Sequence, residues 1–98
     1  MSVPLVLRPE AAEDLAAARD WYEQQRQGLG EEFLTAAEAM FEQIRTMPEL
    51  YAVVLEDVRR SKLRRFPYVV YYRVLTDRIE VLAVLHAAIH EAGSLSCP

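Results

Sequence analysis

Hydrophobic positions change their spacing twice along this chain. Ala11, Leu15, Ala18 and Tyr22 recur at intervals of four, three and four, with Trp21 widening the stripe. That period predicts an amphipathic helix from Pro9 to about Gln25. Pro9 suits a first helical turn, where a missing N–H costs nothing. Glu10, Glu13 and Asp14 suit the positive end of the helix dipole. Gln27-Gly28-Leu29-Gly30 then breaks the period and predicts a tight connection. A clearer stripe follows: Phe33, Ala37, Met40, Ile44 and Met47, flanked by Leu34 and Phe41. It predicts a second helix from near Glu31, ended by Pro48, because the residue before a proline is pushed out of the α region. So short a loop makes the two helices an antiparallel hairpin.

Elsewhere the pattern is that of strands. Val3 to Leu7 alternates weakly and predicts a short first strand, with Pro4 marking an edge or a late start. Residues 48–57 carry neither period and read as a mostly extended connection. Three strands are predicted at 58–66, 68–75 and 79–86, with Thr76-Asp77-Arg78 as a polar hairpin loop. In the second of these, Val69, Tyr71 and Arg73 share one side, and Val70, Tyr72 and Val74 the other. In the third, Ile79, Val81, Ala83 and Leu85 oppose Glu80, Leu82, Val84 and His86. The predicted fold is α+β: an N-terminal strand, a helical hairpin, and a three-stranded antiparallel meander forming one sheet packed on the helices. It is one domain over residues 1–98, with 87–98 a poorly structured tail. Two nearly apolar faces on the last strands exceed what one helical hairpin can cover. This argues for a partner on the open sheet face or at a sheet edge.

Composition narrows the class. At 98 residues and 52% hydrophobic, the chain can bury one core. No apolar run reaches the length of a membrane span, and Met1-Ser2-Val3-Pro4 lacks the features of a signal peptide, so a cytoplasmic place is expected. Cys97 is the single cysteine and lies near the C-terminus, which leaves no internal disulfide. The net charge of −4 hides an asymmetry. Residues 1–58 hold four cations against twelve acids, a balance of −8; residues 59–98 hold seven against three, a balance of +4. The acids suit the wet faces of helices. The basic half could meet an acidic protein segment or nucleic acid.

That basic half is concentrated. Arg59, Arg60, Lys62, Arg64 and Arg65 fall within seven residues, followed by Phe66-Pro67-Tyr68. In a strand, Arg60, Lys62 and Arg64 point one way, and Arg59, Ser61, Leu63 and Arg65 the other. Such a strand could be an edge blunted by charge, or a strip that holds phosphate or carboxylate groups on arginine forks. Phe66, Tyr68, Tyr71 and Tyr72 beside these cations resemble the mixture that binds single-stranded nucleic acid. The same rings are ordinary strand formers, and the core is the favoured reading.

Other chemistry is sparse. His86 and His90 are four apart, but beyond Glu91 no third ligand is evident, and a catalytic zinc needs three. No metal and no cofactor is expected. His86 could serve as a general base, though it reads better as a strand-end histidine. Glu56-Asp57 reads as a solvated turn, and no glycine-rich phosphate loop or nucleophile elbow is present.

Several segments together resemble the ParE/RelE superfamily of toxins from bacterial type II toxin–antitoxin systems. They are Arg8-Pro9-Glu10-Ala11-Ala12-Glu13-Asp14-Leu15, Tyr22 with Gly28-Leu29-Gly30-Glu31-Glu32-Phe33, and Met47-Pro48-Glu49-Leu50. The most specific are Leu63-Arg64-Arg65-Phe66-Pro67-Tyr68 with Tyr71-Tyr72-Arg73-Val74, and Ile79 to His86. The resemblance spans about Leu7 to His86. It implies a cognate antitoxin that wraps the toxin with a helix and an extended segment, in a hetero-oligomer. For ParE-like members it implies inhibition of a protein target such as DNA gyrase, without enzymatic activity. That is the expected function, with Arg59, Arg60, Lys62, Arg64, Arg65, Phe66, Tyr68, Tyr71 and Tyr72 as the partner-binding set. For RelE-like members it implies ribosome-dependent mRNA cleavage, which would fall to Arg64, Arg65, Arg73 and His86. A third reading is a member that only binds antitoxin. Related sequences usually place one or two Arg and an Asp after the His of the last strand. This chain continues Ala87-Ala88-Ile89-His90-Glu91-Ala92-Gly93. The missing cations favour the ParE-like reading.

Overall fold

The structure is a computed structural model and describes residues 3–87. Its elements in order are β1 (Leu5–Leu7), α1 (Pro9–Gln25), α2 (Leu29–Thr46), β2 (Val53–Leu55), β3 (Val58–Lys62), β4 (Tyr68–Val74) and β5 (Ile79–His86). The strands form one sheet in the order β1-β5-β4-β3-β2. β1 lies parallel to β5, and all other neighbours are antiparallel. The helical hairpin covers one face of this sheet, and the core lies between them.

α1 follows β1 without a loop. The Arg8 N–H donates to the Val81 carbonyl at 3.0 Å, and Pro9 opens the helix. Ala11, Ala18 and Tyr22 form its buried stripe. Trp21 does not join them: it is 55% exposed. α2 begins at Leu29, two residues before the expected Glu31, because Gly28 turns the chain at φ +89°. The carboxylate of Glu23 on α1 accepts the Gly28 and Gly30 N–H groups at 3.0 and 2.9 Å. An acid of one helix thus satisfies orphan donors at the start of the next. These hydrogen bonds hold the Glu23 carboxyl below the usual carboxylate range. Gly30 is where the helices touch, since a Cβ there would sit 2.8 Å from the Arg19 carbonyl oxygen. Phe33, Ala37, Met40 and Ile44 are buried as their spacing predicts, whereas Met47 is 46% exposed just past the helix end.

The aromatic residues close the core. Tyr22 stacks on Phe33 with centroids 5.3 Å apart, and Phe66 meets both edge-on, at 4.9 and 5.4 Å. Tyr68 reaches the Phe33 ring at 5.2 Å. Tyr72 is fully buried, and its hydroxyl donates to the Pro48 carbonyl at 2.7 Å. This bond ties the end of α2 to the middle of the sheet.

The meander has four strands rather than three. Residues 48–57, expected as a connection, contain β2, which pairs with β3 and forms the outer edge. β2 is exposed throughout, so it shows no alternation for a sequence pattern to register. Its presence moves the basic strand β3 one place inward, which removes the charge-blunted-edge reading of that strand. β3 also ends at Lys62, short of the expected Phe66.

A bulge changes the faces of β5. Tyr71 pairs with Ala83 and Tyr72 with Val81, which leaves Leu82 as an extra residue. The strand therefore changes phase. Ile79 and Val81 point to the helices, and after the bulge Val84 and His86 do so instead of Ala83 and Leu85. The outer face carries Val58, Arg60, Lys62, Val69, Tyr71, Arg73, Glu80, Ala83 and Leu85. It is mixed in character, and Val69 within it is fully buried. The exposed large apolar side chains lie elsewhere: Met47, Leu50, Val53, Val54 and Leu55 at the β2 edge, with Val6 and Trp21 apart from them. Of the two expected places for a partner, the apolar exposure marks the edge. No helix among the described residues is long and apolar enough to cross a membrane.

Candidate functional site

The β3–β4 connection sets the cations on display. Leu63 and Phe66 are buried, at 3% and 6% exposed, and anchor the turn at both sides. The Leu63 N–H donates to the Tyr68 carbonyl at 2.9 Å and closes it. Within it the Phe66 N–H donates to the Arg64 carbonyl at 2.7 Å, and the Tyr68 N–H to the Phe66 carbonyl at 2.8 Å. Pro67 lacks an N–H and leaves no donor orphaned. With both anchors inward, Arg64 and Arg65 are lifted into solvent. Arg65 takes φ +70°, a left-handed conformation that side chains other than glycine adopt rarely.

Arg65 is oriented from two sides. Its guanidinium donates to Glu32 Oε1 at 2.9 Å and lies 5.5 Å from the Phe66 ring centroid. Glu32 also receives Arg26 at 3.3 Å. Arg65, then Arg26, holds the Glu32 carboxyl below its ordinary range. Between α2 and this turn runs a groove of about 380 Å³. Ala36, Ala39 and Met40 form its apolar floor, with Glu31 and Glu32 on one rim and Arg64 and Arg65 on the other.

The remaining cations divide. Arg59 points to the helix side, where it donates to the Tyr51 and Glu49 carbonyls at 2.7 and 3.3 Å. It clamps the segment before β2 to the sheet and is a structural residue. Arg60 and Lys62 stand on the outer face, opposite Tyr71 and Val69. Arg73 shares that face and meets Asp57 at 3.2 Å, while its buried Nε has no acceptor among the described residues. Lys62 and Arg64 are exposed and make no ion pair among the described residues.

The aromatic members of the expected set serve the core. Phe66 and Tyr72 are buried and offer little or no surface to a partner, while Tyr68 is partly buried in the ring cluster. Burial raises the Tyr68 hydroxyl and pushes the Tyr72 hydroxyl up to about 12. Tyr71 alone stands on the outer face. Of the four residues considered for phosphate chemistry, Arg73 and His86 are not brought together. His86 pairs with Tyr68, its ring 5.1 Å from the tyrosine, on the helix side. Arg73 stands on the other face, five residues along β4, or roughly 16 Å away. Among the described residues no group of three His, Cys, Asp or Glu could hold a metal ion; His90, Glu91, Cys97 and nearly all of the expected tail lie outside them. Sequence reasoning missed the apolar edge at β2 and the exposure of Trp21. An apolar run at 52–55 with no Lys or Pro was the available signal for the first.

A helical hairpin on one face of a five-stranded sheet, with a basic turn beside α2, defines a small RelE/ParE-like α+β domain. The family model of the ParE toxin of type II toxin-antitoxin system, parDE, matches residues 5–90, and the chain belongs to that family. Membership implies an antitoxin partner. The fold is similar to a chain of the chromosomal ParDE TA system from P. aeruginosa, with a TM-score of 0.66 and 24% identity. The match covers 87% of this chain and 96% of that one. No curated protein matches the sequence.

Proposed function

We propose that this chain is a ParE-like toxin that inhibits growth by binding a protein target such as DNA gyrase, and that a cognate antitoxin neutralises it. The observation that carries this reading is the dispersal of Arg73 and His86 to opposite faces of the sheet. A nuclease needs its acid, base and cations within hydrogen-bond reach of one phosphate. Here Arg64 and Arg65 sit on the β3–β4 turn, and Arg73 stands further along β4 on the face away from His86. The same arrangement suits a binding surface, where charges act over a broad area.

The antitoxin would meet two features. An acidic segment suits Lys62, Arg64 and Arg65. An extended segment suits β2, whose outer side has no strand partner among the described residues and whose side chains are apolar. Such a system operates in the cytoplasm. The deciding experiment sets a purified-gyrase supercoiling assay beside ribosome-programmed mRNA cleavage. The expected result is inhibited gyrase and intact mRNA. Cleaved mRNA with untouched gyrase would overturn the reading in favour of a RelE-like endoribonuclease. The absence of Arg, Lys and Tyr from residues 87–98 favours a second reading, a member that retains only antitoxin binding. Inducing the toxin without its antitoxin separates the two, since that member leaves growth unchanged.

A further inference from the structure

β1 accompanies β5 only as far as Val81. Beyond that point the β5 edge would face α1 with unmet backbone groups. Asp14 answers one of them: its Oδ2 accepts the Val84 N–H at 3.1 Å. A cleft of about 460 Å³ remains between α1 and this edge, on the helix side. Asp14 and Trp21 line it from α1, Tyr68 from β4, and Leu85 and His86 from β5.

The lining has a specific chemistry. Trp21 is 55% exposed, a costly place for the chain's one tryptophan unless its face is used. Its ring is held by an edge contact with Tyr22 at 5.1 Å, and Tyr22 in turn meets Tyr68 at 6.0 Å. The indole is thus placed rather than loose. Asp14 adds a carboxylate that no cation pairs with among the described residues. The whole of α1 is acidic, with Glu10, Glu13, Asp14, Asp20 and Glu23 against Arg19. Aromatic faces beside a carboxylate attract a cation with an apolar stem. Arginine fits best, because its planar guanidinium stacks on rings and forks onto a carboxylate.

We infer that the α1–β5 cleft is a recognition slot for an arginine side chain presented by a partner polypeptide. It stands apart from the family reading, since it asks for the charge opposite to the one the basic turn takes. The test uses the full chain and its own reporter, Trp21 fluorescence, at pH 8. The probe is acetyl-Leu-Ala-Arg-Ala-Leu-amide, with the isosteric citrulline peptide as its neutral control. Saturable change is expected with the arginine peptide at an affinity at least about tenfold above that of the citrulline peptide. Asp14→Asn should abolish this preference, because an amide oxygen can still accept the Val84 N–H but carries no charge. Equal responses to both peptides, no saturation with either, or an unchanged preference in Asp14→Asn would each overturn the inference.

Discussion

The Tyr72 hydroxyl donates to the Pro48 carbonyl from inside the core, so one side chain joins β4 to the end of α2. Replacing it with phenylalanine keeps the ring packing and leaves a carbonyl unmet. Tyr72→Phe should therefore cost about 1 kcal/mol in urea denaturation. The same residue sets a pH dependence. Its folded pKa, pushed to about 12, lies above the ordinary 10.0. Above pH 10 the unfolded chain releases this proton before the folded one does. The contribution is therefore complete below pH 10 and is lost as the pH rises toward 12. Tyr22 and Tyr68 shift in the same direction, so alkaline unfolding is shared among the three. Tyr72→Phe should flatten part of the decline. An alkaline slope identical to that of the parent would show that Tyr72 ionises as readily folded as unfolded.

Elements here are held by few but specific contacts. The hairpin depends on Gly30, where an added methyl would meet the Arg19 carbonyl at 2.8 Å. That obstacle is backbone, so α1 and α2 must separate. Gly30→Ala should destabilise the fold by about 1–3 kcal/mol despite alanine's better helix propensity. A rise in thermal midpoint would mean that the contact yields freely. At the other end, β2 is a short, irregularly paired edge of three apolar residues with no Lys or Pro. Val54→Lys should change stability by no more than about 0.5 kcal/mol, since the side chain is already half exposed. It should weaken antitoxin binding measured by calorimetry, if a strand adds there. Unaltered affinity would assign the extended segment to another edge. These elements also show what a sequence can reveal. Both helices were legible because Ala11, Ala18, Tyr22, Phe33, Ala37, Met40 and Ile44 are buried at helical spacing. β2 was not, because a strand exposed on both sides leaves no period. The bulge at Leu82 was hidden because β5 is apolar on both faces, so a phase change alters no pattern. Arg64 and Arg65 stood out by charge, but the inward pull of Leu63 and Phe66 that displays them is a tertiary effect. Trp21 fell within a plausible buried stripe, yet it lines the open cleft beside β5.

Across the whole molecule, the charge asymmetry becomes spatial. The acids gather on the helices, and the cations gather on the middle of the sheet and the turn beside α2. A partner that approaches the turn meets Arg64, Arg65 and Lys62, while one that approaches α1 meets Asp14 and its neighbours. Opposite charges at two sites would orient a binding partner as well as attract it. The turn is the site whose charge can be reversed at least cost to the fold. The pair of Arg65 with Glu32 is exposed, and such pairs contribute little to stability. Arg64 has no pair to lose among the described residues. The double variant Arg64→Glu, Arg65→Glu should thus unfold within about 1 kcal/mol of the parent. Its complex with the cognate antitoxin should weaken at least about tenfold at low salt. Raising the ionic strength should weaken the parent complex and leave the variant complex nearly unchanged, because the attraction being screened is already gone. Arg45→Glu is the control: it is half-buried, lies at the far end of α2, and should leave affinity intact. If the double variant binds as tightly as the parent at every salt concentration, the basic turn has no part in holding the antitoxin. The apolar edge at β2 would then carry that interface alone.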